Sequence, residues 1–372
     1  MTKNNLAGNG RLLSLDALRG FDMMFIMGLS GIIVSICALF PDGDTSWLAL
    51  QMSHVKWEGF HHHDTIFALF LFISGMTFPF SSAKKLEKGL SKGDITKEVL
   101  KRACILFFLG LVYQGFFHFH FATLRVMSVL GRIGISWALA AIIYCYTSRK
   151  TQYGIAAGIL IGYFLLLKFT IAPDAPAGAD SMSKMGNISY YIDRIILGNH
   201  AYKPYGDPEG LVSTIPAIVT ALLGMFTGRY VKESDDSGEK KTLKLLGAAV
   251  VTGVAAALWS IWFPVIKNLW TSTFVLAAAS YSLAVFAIFY YIIDVKGWRK
   301  GVIFFQVVGM NSITIYLAQA FIDFQKIGDF FLSGVAELVP EVFGAVILRI
   351  GYFTAAWLML YFMYKKNVFL KV

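Results

Sequence analysis

Charge is scarce in this chain: Asp, Glu, Lys and Arg make up 15% of its 372 residues. A soluble domain draws about a quarter of its residues from those four types, so a surface wetted on all sides by water is excluded. Cysteine is scarcer still, with three residues in all. Cys37, Cys104 and Cys145 fall inside apolar runs at no metal-ligand spacing, which excludes a disulfide framework and a cysteine zinc centre and leaves them as expected packing residues. The opening segment, MTKNNLAGNGRLLSLDALRG, lacks a short apolar core followed by a small-residue cleavage site. A removable signal peptide is therefore not expected, and the first apolar run stays as a helix. No repeat and no low-complexity linker divides the chain, so one domain over 1–372 with no separate soluble domain is expected.

What the chain has instead is apolar length. Hydrophobic residues make up 56%, and runs near the ~20 residues of a membrane-spanning helix lie at 18–40, 65–83, 99–117, 126–147, 153–172, 211–231, 245–263, 269–293, 301–322 and 343–364. These predict an all-α polytopic membrane protein of about ten transmembrane helices in a lipid bilayer. The semi-apolar stretch from Phe330 to Val339 leaves room for an eleventh, re-entrant piece.

The formal net charge is +10, but basic residues in such a chain report topology before they report a nucleic-acid partner, because cytoplasmic loops collect Lys and Arg. With the N-terminus inside, 23 of the 33 Lys and Arg residues fall on the inner side. Both termini are then cytoplasmic, and no nucleic acid is expected. Pro173–Gly210 becomes an outer loop rich in Gly, Pro, Asp and Tyr, of the kind that binds ligands.

The histidines are the most informative residues. All seven, His54, His61, His62, His63, His118, His120 and His200, fall on the predicted outer side, and imidazole is the side chain that exchanges a proton near neutral pH. The densest group, His54 to Asp64, leads into the second run. A carboxylate entering hydrocarbon needs a partner, and His54 is the natural one for Asp64. On one continuous helix ten residues would place the two roughly 80° apart, so a break near Gly59 is needed to join them. Three readings stand on these residues alone: a proton-transferring pair, interfacial histidines beside a helix-capping Asp, and a metal site drawing on His61-His62-His63-Asp64 or His118-x-His120. Other polar residues inside apolar runs also need partners. Arg19 and Arg102 lie near the inner face, where guanidinium matches phosphate. Arg132 chooses between an ion pair and an anionic ligand, and Asn311, near mid-membrane, between interhelical bonding and a carbonyl or thioester.

These residues carry a resemblance. Arg11-Leu-Leu-Ser-Leu-Asp16-Ala-Leu-Arg19-Gly20, His54-x-x-Trp57-x-Gly59 with Asp64, Phe70-Leu-Phe-Ile-Ser-Gly75, Val129-Leu130-x-Arg132-Ile133, Tyr191-Ile-Asp193-Arg194-Ile-Ile-Leu-Gly198, Asp207-Pro-Glu209-Gly210-Leu-Val-Ser-Thr214-Ile, Lys267-Asn268-Leu-Trp270-Thr-Ser272, Asp294-Val-Lys-Gly297 and Gly309-Met-Asn311-Ser312-Ile follow one another along nearly the whole chain. Together they resemble the heparan-alpha-glucosaminide N-acetyltransferases of lysosomes and their bacterial relatives in the transmembrane acyltransferase superfamily.

The resemblance implies an acetyl-CoA-dependent N-acetyltransferase of a bacterial inner (cytoplasmic) membrane. It would move an acetyl group from cytoplasmic acetyl-CoA to the amine of a glucosamine-type sugar or glycan on the far side, and act as a homodimer. It makes His54 the catalytic residue, as general base or as the carrier of an acetyl group, with Asp64 beside it; Asn311, from its place near mid-membrane, is expected to polarise the carbonyl. Arg19, Arg102 and Arg132 would hold the donor's phosphates. Trp57, Asp193, Arg194, Asp207 and Glu209 would form the sugar site, and no metal is expected. Two other classes stay open: a transporter or channel for a metal ion or proton, and an O-acyltransferase of the same superfamily acting on a glycan hydroxyl.

Overall fold

The computed structural model describes residues 12–370; Lys3, Arg11 and Lys371, counted above on the inner side, lie outside them. Among the described residues there is no strand beyond two isolated bridges. In chain order the principal helices are α1 (Leu13–Cys37), α2 (His62–Glu87), α3 (Lys92–Tyr113), α4 (Val129–Tyr146), α5 (Arg149–Phe169), α6 (Ile188–Leu197), α7 (Thr214–Glu233), α8 (Gly238–Ser260), α9 (Ser272–Val295), α10 (Val302–Met310), α11 (Ser312–Phe321), α12 (Phe324–Ala336) and α13 (Glu341–Lys365). Several begin on a side-chain cap: the hydroxyls of Ser91, Ser128, Ser148, Ser237 and Thr271 each accept a backbone N–H of the first turn.

Eight of these helices, α1, α2, α4, α5, α7, α8, α9 and α13, are long and apolar enough to cross a membrane. The ninth expected span, α10 with α11, passes only as a pair bent by 66° at Asn311. The third, α3, is a helix of spanning length whose first half carries Lys97, Glu98, Lys101 and Arg102, so composition does not mark it as a span. The expected ten therefore become eight or nine by length and composition, in a polytopic membrane protein. The stretch around Phe330 forms α12, whose 13 residues rise only about 20 Å. It packs along α13.

The most enclosed helices are α2 and α7, which pack along each other. They come close because glycine faces backbone: a Cβ on Gly75 would lie 2.2 Å from the Ala221 carbonyl oxygen, and one on Gly224 2.1 Å from that of Phe72. Small residues bring membrane helices together in this way. Helices α8 and α13 form the rim and show large apolar side chains outward, among them Val250, Val251, Leu258, Leu358 and Phe362, which suits a face covered by lipid. Of the three cysteines Cys37 is buried, but Cys104 is exposed on α3. The expectation that all three pack inside fails there, because an apolar run in a membrane protein has a lipid-facing side.

Candidate functional site

The segment before α2 is not helical: Gly59 takes φ +130° and helix resumes at His62. That break folds His54 back onto the first turn of α2. His54 Nδ1 lies 2.8 Å from Asp64 Oδ1, while Asp64 Oδ2 accepts the His61 N–H at 3.1 Å and faces the Val55 N–H at 3.4 Å. The Asp64 side chain is 1% exposed. It thus caps the helix, where the macrodipole favours a carboxylate, and orients the His54 ring. One side chain thus makes both the cap and the contact with His54.

Lys267, on the connection between α8 and α9, completes the group. Its ammonium lies 3.6 Å from Asp64 Oδ1 and 3.0 and 3.3 Å from the two ring nitrogens of His54. Imidazole lone pairs lie in the ring plane and point apart, so one nitrogen near both sits against the ring face and leaves the Nε2 lone pair uncovered. Burial holds the Lys267 ammonium below the ordinary lysine range, with Asp64 and Glu209 pulling it part of the way back.

A cavity of about 260 Å³ opens at this group, lined by His54, His63, Lys267 and Glu209 and floored by apolar side chains of α1, α2, α4 and α11. A second cavity, of about 720 Å³, lies at the other end of the bundle and is lined by Arg19, Lys84, Arg102, Lys232 and Lys241. One face of α2 serves both. His63, Phe67 and Phe70 line the first, Thr77, Ser81 and Lys84 the second, and the step from Phe70 to Thr77 rises about 10 Å. Trp137 packs across that gap, donating its indole N–H to the Ser74 carbonyl at 3.1 Å with the Arg102 guanidinium 4.6 Å from its ring.

The expected residues divide accordingly. Arg19 and Arg102 share the second cavity, and the buried Nε of Arg102 has no hydrogen-bond partner. Arg132 does not join them. It is fully buried at the His54 end, 5.0 Å from the Trp270 ring, and donates to the Ser213 hydroxyl. Glu209 reaches the first cavity and pairs with Arg125, which also grips Asp207 at 2.6 and 2.9 Å. Asp207, Asp193, Arg194 and Trp57 pin the connection between α5 and α7 instead of lining that cavity. Asp207 accepts the Tyr202 and Glu209 N–H groups, Asp193 the Leu211 N–H, Arg194 pairs with Asp174, and Trp57 donates to the Met182 carbonyl. Burial pushes the Asp193 carboxyl up to about 6. Asn311 is 1% exposed and does not line the cavity; its amide donates to the Val368 carbonyl at 3.1 Å and accepts the Leu370 N–H at 3.3 Å. Among the described residues no group of three or more His, Cys, Asp or Glu is placed to hold a metal ion.

Two curated proteins are similar to this chain over 97% of its length: a heparan-alpha-glucosaminide N-acetyltransferase of Homo sapiens at 24% identity and one of Mus musculus at 25%. The chain is a distant relative of these acetyltransferases. It spans about 60% of the length of either relative, and no family model matches it. Lys267 and Arg125 are the site residues that sequence reasoning left without a role. Lys267 was legible only as part of a motif, and as a basic residue on the side where basic residues are few.

Proposed function

We propose that this chain is a transmembrane acetyltransferase that takes the acetyl group of acetyl-CoA at its arginine-lined cavity and delivers it to the amine of a glucosamine-type sugar at the His54 cavity. The observation that carries this reading is the pairing of His54 with the buried Asp64 at the mouth of a cavity, with a separate cationic cavity at the far end of the same helix face. The inside-positive rule puts the cationic end in the cytoplasm, with both termini, in keeping with a cytoplasmic membrane of a bacterium.

The chemistry follows from the geometry. Arg19 and Arg102, joined by Lys84, Lys232 and Lys241, suit the phosphates of the donor's nucleotide. The pantetheine arm would run along α2 past Trp137 and bring the thioester to the apolar floor beneath His54. Glu209 gives the acceptor's ammonium a counter-charge. An ammonium is no nucleophile, so His54 Nε2 takes a proton from it, with Asp64 stabilising the imidazolium. The amine then attacks the carbonyl, and Lys267, which lines the same cavity beside His54, would stabilise the developing oxyanion. The carbonyl role expected of Asn311 passes to Lys267 in this account, because the Asn311 amide is already engaged by backbone.

The test is vectorial. In sealed vesicles holding the protein in one orientation, acetyl-CoA on the arginine face and glucosamine on the opposite face should give N-acetylglucosamine, while both supplied to the histidine face alone should give none. Product from the histidine face alone would sink the reading, and absence of any CoA binding would return the chain to the transporter class.

A further inference from the structure

His63 lines the same cavity as His54, its ring centroid 4.5 Å away at 59°. The two rings are held differently. His54 stands on the non-helical segment and is tied to Asp64, whereas His63 belongs to the first turn of α2 and has its Nδ1 3.2 Å from the Ser30 hydroxyl. Ser30 reaches it because α1 widens over Phe25–Leu29, where Gly28 takes φ +124° against the Tyr352 ring. His63 heads the helix face that continues through Phe67 and Phe70 toward the second cavity. His54, with its side chain 53% exposed, faces the open side. One imidazole therefore looks toward where an acceptor enters, the other toward where a donor would arrive.

Proton accounting gives the second imidazole work to do. Joining an ammonium to a thioester forms a C–N bond, breaks a C–S bond and removes two protons from nitrogen. One proton ends on the departing sulfur and one in solvent. A single imidazole that has taken the first proton cannot take the second until it has discharged it. We propose that His63 is the second proton-transfer residue of this site, taking the proton that nitrogen sheds after attack and returning it to the thiolate, with Ser30 as its positioning residue. His54 releases the first proton to water. The charged and titratable groups facing His63 are His54, Asp64, Lys267 and His62, with Glu209 across the cavity. This inference rests on the acetyl-transfer reading above.

The experiment compares two acceptors for the full chain in detergent with acetyl-CoA. Below about pH 7 an amine of the α-amino class is protonated and must lose two protons, whereas a weakly basic amine such as methoxyamine is already neutral and must lose one. His63→Ala and His63→Gln should lower kcat with glucosamine by about 100-fold or more, and with methoxyamine by less than about 10-fold, because His54 has no first proton to take from a neutral amine and is free to take the one shed after attack. Ser30→Ala should show the same asymmetry in weaker form, and raising the pH through the range in which glucosamine loses its proton should shrink the glucosamine deficit. Equal losses with both acceptors, or no loss with glucosamine, would overturn the role of His63 while leaving acetyl transfer standing. An unmutated chain that acetylates neither acceptor would overturn both.

Discussion

His54 and Asp64, ten residues apart in the chain, meet at 2.8 Å because the backbone turns at Gly59 and restarts as helix with Asp64 in its first turn. A carboxylate so placed fixes which imidazole nitrogen carries the proton and supports the charge the ring acquires. Asp64→Asn keeps the shape and loses the charge. It should lower kcat by about 10²–10⁴-fold with little change in KM for either substrate, as steady-state kinetics of the two variants, Asn and Ala, would show.

Lys267 stands against Asp64 and His54, in the first cavity and away from the arginine-lined one, so its proposed effect belongs to the transition state. Lys267→Met should cost about 10²–10³ in kcat and leave the Kd of acetyl-CoA within about twofold. A weakened Kd with unchanged kcat would move Lys267 out of the chemistry.

Arg102 should show the opposite pattern. Its buried guanidinium edge lines the second cavity with an unpartnered Nε, and a hydrogen bond to a charged group is worth about 1.5–3 kcal/mol. Arg102→Ala should therefore weaken acetyl-CoA binding by about 10–100-fold, read by calorimetry, with kcat at saturation largely kept.

Much of this plan was open to sequence reasoning, and the failures have physical causes. Apolar runs report membrane length directly, so α1, α2 and α7 were legible, but α3 carries six charged residues in its first half, and its apolar second half alone is shorter than a span. Arg19 and Arg102 were legible as a pair near one face because helical rise fixes depth. Arg132 was not, since depth alone does not say whether a buried guanidinium meets a ligand or, as here, Trp270 and Ser213. Sequence spacing also gave no means of telling Glu209, which reaches the cavity, from Asp207 two residues away, which is turned back onto Arg125 and the loop backbone.

Asp193 supplies a pH signature. Burial raises its carboxyl from the ordinary 3.8 to about 6, so folding favours the protonated form. The associated stability is fully present below pH 3.8 and is lost as pH rises through about 6, by at most about 3 kcal/mol. Thermal unfolding followed from pH 4 to 7 should show that decline, and Asp193→Asn should flatten it.

Asn311 joins the bend between α10 and α11 to the backbone at Val368 and Leu370. Asn311→Ala removes both bonds, and because Val368 and Leu370 are exposed each loss should cost only about 0.5–1.5 kcal/mol. Lower thermal stability and faster proteolysis after Lys366 should accompany it, while Asn311→Asp, which keeps only the acceptor, should fall between.

Acetyl transfer by this chain should depend on His54. Purified protein incubated with acetyl-labelled acetyl-CoA and glucosamine should yield labelled N-acetylglucosamine, and His54→Ala should abolish that yield while still binding CoA. Transfer that survives in His54→Ala would show that His54 is not the residue that accepts the acceptor's proton.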